Sequence, residues 1–286
     1  MKKLSIISIF CLFILSGCIQ KIAIGSMGGI MDNGFAVLNE EQDLDIADKS
    51  IASDLKLLEA VMKSDPDNDH FRLLASEGYS SYALGFVEDD SVARAKILYL
   101  RAKEFGLSIL RKNHAFAEAE DKSPTEFQQA LQTFSKDDVP AIFWSAIGWG
   151  SYASLSLTDP MAIADLAKIE AMMQFVVQHD PAYFYGGAHF FLGTLYGTRP
   201  KMLGGDSAIS RKHFEDCLAL NGGKFLMTYV YYARSFAVQY QDKDLFEQCL
   251  TRVDTTSLDV LPEARLSNAI AKKKALLLRA KTNDLF

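Results

Sequence analysis

The sequence is poor in cysteine and proline and has almost no alternation of polar and β-branched residues, which disfavours several fold classes. Four cysteines in 286 residues are too few for a disulfide framework. Seven prolines, most of them between apolar stretches, leave room for long uninterrupted helices. Because strand-like alternation is nearly absent while apolar residues recur at three and four spacing, the sequence predicts an all-α chain.

Charge and motifs disfavour further classes of function. The formal net charge is −6 and no basic surface pattern is present, so we expect no nucleic-acid partner. The five histidines show neither His-x3-His spacing nor cysteine partners at zinc-site intervals. The chain also lacks a Gly-x-Ser-x-Gly elbow and a phosphate-binding loop. We therefore expect neither enzymatic activity nor a bound metal or other cofactor.

The N-terminus carries the pattern of a bacterial lipoprotein export signal. Lys2 and Lys3 precede an apolar run, residues 4–15, that is too short to span a bilayer stably. Leu15-Ser16-Gly17-Cys18 reads as a lipobox, which predicts cleavage after residue 17 and lipidation of Cys18. The alternative is an ordinary signal peptide with a chance cysteine.

The predicted mature chain is acidic and attached to a membrane by lipid alone. Removal of residues 1–17 takes away two lysines and changes the net charge from −6 to −8. By resemblance to other Gram-negative lipoproteins, Ile19 after the cysteine favours the outer membrane over retention in the inner membrane. No later segment is apolar and long enough for a membrane helix. Residues 18–30 are predicted to be a tether and residues 31–286 a single helical domain.

Internal repeats organise this domain. A tetratricopeptide hairpin begins with an aromatic residue, two residues, Leu-Gly, two residues and a further aromatic. Four segments follow this pattern to different degrees, beginning at Phe71, Trp144, His189 and Tyr229. Phe214–Leu218 and Phe246–Leu250 are nearly identical second-helix segments, 32 residues apart. The sequence therefore predicts a right-handed superhelix of degenerate tetratricopeptide-like hairpins, in which His189 is a packed core histidine rather than a ligand or base.

Two segments lie outside the repeats. Residues 115–139 are polar and contain a helix start at Ser123-Pro124-Thr125-Glu126, so we predict an inserted helix. Residues 262–281 are predicted to form a C-terminal capping helix, with Lys272–Lys274 and Arg279 facing the solvent.

The remaining cysteines, Cys217 and Cys249, occupy the same small-residue position of consecutive second helices. Stacked helices place equivalent Cα atoms about 8–10 Å apart, beyond the roughly 7 Å limit for a disulfide. We predict packed core thiols, with a disulfide as the less favoured alternative.

The most distinctive stretch runs from Asp180 to Asp206. It contains Asp-Pro-Ala-Tyr-Phe-Tyr-Gly-Gly-Ala-His, then Gly-Thr-Arg-Pro and Leu-Gly-Gly-Asp. Together with Phe143 to Gly150 and the lipobox, it resembles the T component of tripartite ATP-independent periplasmic (TRAP) transporters. The resemblance covers about residues 28–253 and is clearest after residue 140.

This resemblance implies a periplasmic lipoprotein of tetratricopeptide-like helices that works with the transporter's soluble substrate-binding protein. It also implies a ligand-accessible cleft or pore for small organic acids or hydrophobic ligands, and a homo-oligomer, a trimer being favoured. We therefore expect an accessory transporter subunit that docks the substrate-binding protein. The alternative is a tetratricopeptide lipoprotein scaffold for envelope assembly or cell-wall maintenance, which binds a protein segment in its groove.

Candidate ligand residues follow from the repeat. First helices line the concave face of such a superhelix, so residues one, five and eight positions after the aromatic should point into it. The candidates for the cleft or for partner binding are Arg72, Tyr79, Trp149, Tyr152, Phe190 and Arg234. Aromatics with two arginines would suit a ligand with an apolar body and a carboxylate. The alternative is that the aromatics pack in the core and the arginines form surface ion pairs.

A weaker candidate lies in the lengthened loop after the third repeat's first helix. Arg199 and Lys201 precede a helix start that Asp206 or Ser207 could cap, and exposed amides there could hold an anion. The alternative is a loop that needs glycine only to turn.

Overall fold

The structure, a computed structural model, describes residues 27–286, and every regular element in that part of the chain is helical. The all-α prediction is confirmed. The predicted export signal, the predicted lipobox and the predicted lipidation site Cys18 lie outside the described residues. Helix α1 covers residues 27–39, so helix already occupies the last four residues of the predicted tether. The other helices are α2 Leu44–Ser64, α3 Asp69–Tyr82, α4 Val92–Leu110, α5 His114–Ala119, α6 Pro124–Leu131, α7 Val139–Ser154, α8 Pro160–His179, α9 Tyr183–Thr198, α10 Ser207–Asn221, α11 Met227–Tyr231, α12 Lys243–Thr255, α13 Arg265–Arg279 and α14 Thr282–Leu285.

The four predicted first helices are α3, α7, α9 and α11, and each packs against the helix that follows it along the chain. The hairpins therefore occur where the repeats indicated, whereas their right-handed superhelical arrangement stays a prediction. Two first helices are prolonged by a π-helical turn, Ala83–Val87 after α3 and Tyr232–Ala237 after α11. Such turns are rare and often lie at functional sites.

Side-chain caps fix several helix starts. The predicted start at Ser123 is a capping box, in which the Ser123 hydroxyl accepts from the Glu126 amide at 3.3 Å. The Glu126 carboxylate in turn accepts from the Ser123 amide at 3.2 Å. The predicted single inserted helix is wrong in one respect, because α5 and α6 are two short helices separated by a turn. That turn precedes Pro124, and a residue before proline is disfavoured in helical conformation.

The prediction that Lys274 faces the solvent is wrong. Its side chain is buried, and its ammonium lies 2.6 Å from a carboxylate oxygen of Asp89. Lys274 follows Ile270 by one helical turn, and Ile270 is on the buried face of α13, so the same face carries both residues. Arg279 is half-buried and pairs with Glu247 and Asp254.

Cys217 and Cys249 are buried, and within residues 27–286 they form no disulfide, as predicted. The Cys217 thiol lies 3.4 Å from the Thr228 hydroxyl, and burial raises its pKa to about 11. Among the described helices, none is both long and apolar enough to cross a membrane.

Candidate functional site

A cavity of about 720 Å³ lies between the hairpins and is the candidate binding site. Its walls come from α1 to α4, α7 to α9, α11 and α13. Most of the lining is apolar, and its aromatic members are Phe35, Phe86, Tyr99, Phe143, Trp144, Phe184, Phe190, Phe191, Phe225 and Tyr231. The volume falls within the range of about 300–1,000 Å³ that is usual for small-molecule sites.

On α7, the face that lines the cavity is different from the predicted one. The lining residues Trp144, Ile147 and Ser151 are spaced by three and four, so the aromatic repeat position itself faces the cavity. Trp149 points elsewhere, and its indole N–H donates to the Asp165 carboxylate at 2.8 Å. Tyr152 is half-buried against the core and is not part of the lining.

On α3, too, the predicted residues lie outside the cavity lining. Arg72 is in the first turn of α3, where it pairs with Asp69 at 3.4 Å. Tyr79 is buried, stacks on Phe105 with ring centroids 5.8 Å apart, and bonds to Glu59 through its hydroxyl. The face of α3 and its π-turn that lines the cavity carries Glu77, Gly78, Ser80, Ser81, Leu84 and Phe86.

Two of the six cleft candidates, Phe190 and Arg234, do line the cavity. Phe190 packs edge-on against Tyr231 at 4.9 Å between ring centroids. Arg234 lies in the second π-turn and reaches Glu88, which follows the first π-turn, at 3.7 Å. The two π-turns therefore bring an ion pair to the cavity wall. Glu88 also accepts a 2.6 Å hydrogen bond from the Tyr99 hydroxyl.

Arg199 lines the cavity as well, but Lys201 is exposed and lies outside it. The Arg199 guanidinium bonds to the Glu170 carboxylate at 2.9 Å, while its buried Nε has no hydrogen-bond partner among the described residues. At the start of α10, Asp206 accepts from the amides of residues 208 and 209 at 2.8 and 3.0 Å. Because a carboxylate already caps this helix, the loop is a poor place for a second anion.

A left-handed turn at the start of α9 shapes one wall of the cavity. Phe184, Tyr185 and Gly186 have φ of 46°, 59° and 79°, which is unusual for two consecutive aromatic residues. The Asn221 amide donates to the Tyr185 carbonyl at 3.1 Å and helps hold the turn. As a result, the Phe184 ring packs edge-on against Trp144, 4.7 Å between centroids. The distinctive stretch in the sequence therefore encodes a strained turn, a feature that clusters at functional sites.

Glu77, which the repeat pattern does not select, is the most unusual polar group of the cavity. Within residues 27–286 its carboxyl group makes no hydrogen bond and no ion pair, and burial raises its pKa to about 7. Two neighbouring wall groups, the Ser80 hydroxyl and the Trp144 indole N–H, are buried without a hydrogen-bond partner in the described part of the chain. The signal in the sequence is that Glu77, Ser81 and Leu84 are spaced by four and three, so they share the face of α3 and its π-turn that lines the cavity.

Outside the cavity, one cluster offers atoms suited to a metal ion. His189 on α9 and His213 on α10 place their Nδ1 atoms 3.0 Å apart, and Asp216 lies 3.7 Å from His189. Burial, and then the neighbouring His189, lower the pKa of His213 to about 4, so both rings can be neutral. Asp216, however, already pairs with Lys212 at 2.8 Å. The buried position of His189 agrees with the packed histidine that the repeat predicted.

Comparison with known proteins adds family information to this geometry. A family model described as TRAP transporter T-component matches residues 40–286, so the match extends to the C-terminal helices as well. The chain is also 25% identical over 268 residues to an uncharacterised protein of Treponema pallidum, a match that covers 87% of this chain and 82% of the relative.

Proposed function

The chain belongs to the TRAP transporter T-component family, and from this premise we propose that it docks the transporter's substrate-binding protein and holds a largely apolar ligand in its cavity. The family is one of transporter accessory components rather than of enzymes. The proposal has two further parts. Cys18 carries a lipid that anchors the chain to the periplasmic side of the outer membrane, and the chain assembles into a homo-oligomer.

The cavity is the observation that carries this proposal. Empty space in a protein interior forfeits packing contacts, which costs stability in proportion to its volume. A cavity of about 720 Å³ with a mainly aromatic and aliphatic lining is therefore better explained by a ligand than by poor packing. Walls contributed by many helices favour a small molecule over the peptide segment that the scaffold alternative requires.

A docking surface is suggested by exposed apolar residues around one side of the cavity. Leu157 and Pro200 both line the cavity, and they lie in the loops after α7 and α9. Leu157, Met161 and Met202 of this region are 59%, 72% and 96% exposed, respectively. Exposed apolar patches next to a binding site are typical of protein interfaces. We propose that the substrate-binding protein covers this surface when the ligand passes between the two proteins.

Charges on this surface should weaken docking. We expect the double variant Met161→Glu/Met202→Glu to bind the transporter's substrate-binding protein at least about tenfold more weakly, because desolvating two carboxylates at an apolar interface is unfavourable. Isothermal titration calorimetry with the soluble chain starting at Ile19 measures the affinity. The matched control is Leu276→Glu, since Leu276 is 63% exposed on α13 and does not line the cavity. Unchanged affinity in the double variant would place docking elsewhere.

Filling the cavity should prevent ligand binding. Thr194 is a half-buried wall residue on α9, and we expect Thr194→Trp to weaken binding of the apolar fluorophore N-phenyl-1-naphthylamine at least about tenfold by occupying its space. Fluorescence titration measures this, and Thr251→Trp on the exposed face of α12 is the control. Equal binding by both variants would show that the probe does not enter the cavity.

A further inference from the structure

The charge balance of the cavity wall points to the chemical class of the ligand, an inference that rests on the proposed ligand-holding function. Carboxylates outnumber guanidinium groups in the lining by four to two. The charged lining residues are Asp54, Glu77, Glu88, Glu170, Arg199 and Arg234.

Both guanidinium groups already have carboxylate partners. Arg234 pairs with Glu88 at 3.7 Å, and Arg199 pairs with Glu170 at 2.9 Å. A carboxylate ligand would have to compete with these partners, and separating a partly buried pair leaves an uncompensated charge behind. The arginines are therefore poor anchors for the ligand carboxylate that the sequence predicted.

The two remaining carboxyl groups have no such partner. Asp54 on α2 and Glu77 on α3 form no ion pair in residues 27–286. Burial raises the pKa of Glu77 to about 7, so water solvates its charge poorly. The groups at the start of α9 that lie near Glu77 are phenols and not cations. Burial, and then the charge of Glu77, raises the pKa of Tyr183, while burial, followed by Glu263 and Glu77, raises the pKa of Tyr185. Within the described residues, Glu77 therefore has no positively charged partner in the cavity wall.

Aromatic side chains on the same wall would also favour a cation. Trp144 and Phe184 pack on each other at 4.7 Å and both line the cavity with Glu77. The faces of aromatic rings attract cations, most strongly where water is excluded. We propose that the cavity takes an apolar ligand bearing a positively charged amine, and that Glu77 is the counter-ion of that amine.

The test compares three ligands of equal chain length that differ only in the end group: decylamine, decanol and decanoic acid. Each competes at pH 8 for the site occupied by the uncharged probe N-phenyl-1-naphthylamine. An alkylamine remains protonated at this pH because its pKa is near 10, while most of Glu77 is ionised. We expect decylamine to displace the probe at a concentration at least about tenfold lower than either of the others.

The variant Glu77→Gln removes the charge while keeping the shape. It should lose the preference for the amine and bind decanol within about twofold of the wild type, which also shows that the cavity is intact. The control Glu118→Gln, on the exposed surface of α5, should keep the preference. Lowering the pH to 5.5 should weaken decylamine binding by the wild type at least about fivefold and leave the variant unaffected.

The outcomes separate this inference from the proposed function. Strongest binding of decanoic acid, or an amine preference that persists in Glu77→Gln, would overturn the assignment of an amine to Glu77. Equal binding of all three ligands would also overturn it, while the apolar ligand of the proposed function would stand. If neither the probe nor any of the ligands binds, the ligand-holding function itself fails.

Discussion

Replacing Gly148 by valine is expected to lower the free energy of unfolding by about 3 kcal/mol, because it over-packs the crossing of α4 and α7. A Cβ atom at Gly148 would lie 2.7 Å from the backbone nitrogen of Lys103 and 3.1 Å from the Ala102 side chain. Backbone cannot move aside as a side-chain tip can, so the two helices would have to separate. Urea denaturation followed by circular dichroism measures the change.

The matched control is Gly34→Ala in α1. A Cβ atom there has no neighbour within 4 Å, so the variant should gain about 0.5–1 kcal/mol from a better helix former. Stability changes of opposite sign at these two helical glycines would establish that Gly148 is required for the close approach of α4 and α7. A Gly148→Val protein as stable as the wild type would contradict the observed crossing. The crossing matters for the site because Tyr99 on α4 and Trp144 on α7 both line the cavity.

Replacing Glu77 by glutamine is expected to stabilise the protein at pH 8 by about 2–3 kcal/mol. The pKa of this carboxyl is about 7 in the folded state and near 4.5 in an unfolded chain. Between these values the folded state holds the proton more tightly, so the stability of the wild type falls as the pH rises from about 4.5 to 7. A shift of this size corresponds to about 3 kcal/mol at most, and solvent in the cavity reduces it. The glutamine side chain of the variant does not ionise, so the variant does not lose stability in this way as the pH rises.

The pH dependence distinguishes this effect from a change in packing. At pH 4, where the carboxyl is mostly protonated in both states, wild type and Glu77→Gln should have nearly the same free energy of unfolding. Thermal or urea unfolding at pH 4, 6 and 8 gives the profile, with Glu118→Gln as the surface control. A stabilisation that is the same at all three values would mean that the charge of Glu77 is not the cause. A stability cost at this one residue agrees with a group retained for binding.

The secondary structure was predictable because it depends on local patterns. Helical periodicity, the Ser123 capping box and the recurrence of the hairpin pattern all lie within short windows of sequence. The equivalence of Cys217 and Cys249 came from the same recurrence, and both are buried and unpaired. The family assignment also came from a continuous stretch, and the family match over residues 40–286 confirms it.

Side-chain direction was less predictable, because it depends on which face of a helix meets which neighbour. The repeat rule selected Trp149 for the cleft, but α7 presents Trp144 to the cavity and turns Trp149 toward Asp165 on α8. A rotation of this kind leaves the hydrophobic pattern almost unchanged, since α7 is buried on several sides. The prediction that Lys274 faces the solvent was wrong for the same reason, because its partner Asp89 lies far away in the sequence.

By itself, the sequence determined the helical class, the hairpins and the family, since each follows from residue types at short, regular spacings. Only the tertiary structure decided the chemistry of the cavity. Folding places Glu170 and Glu88 beside Arg199 and Arg234, which the sequence offered as possible anion-binding groups. It also places Glu77, which the sequence did not single out, in the mainly apolar wall of the cavity. Pairing and desolvation are properties of groups that are distant in the chain, and together they decide which charges remain available to a ligand.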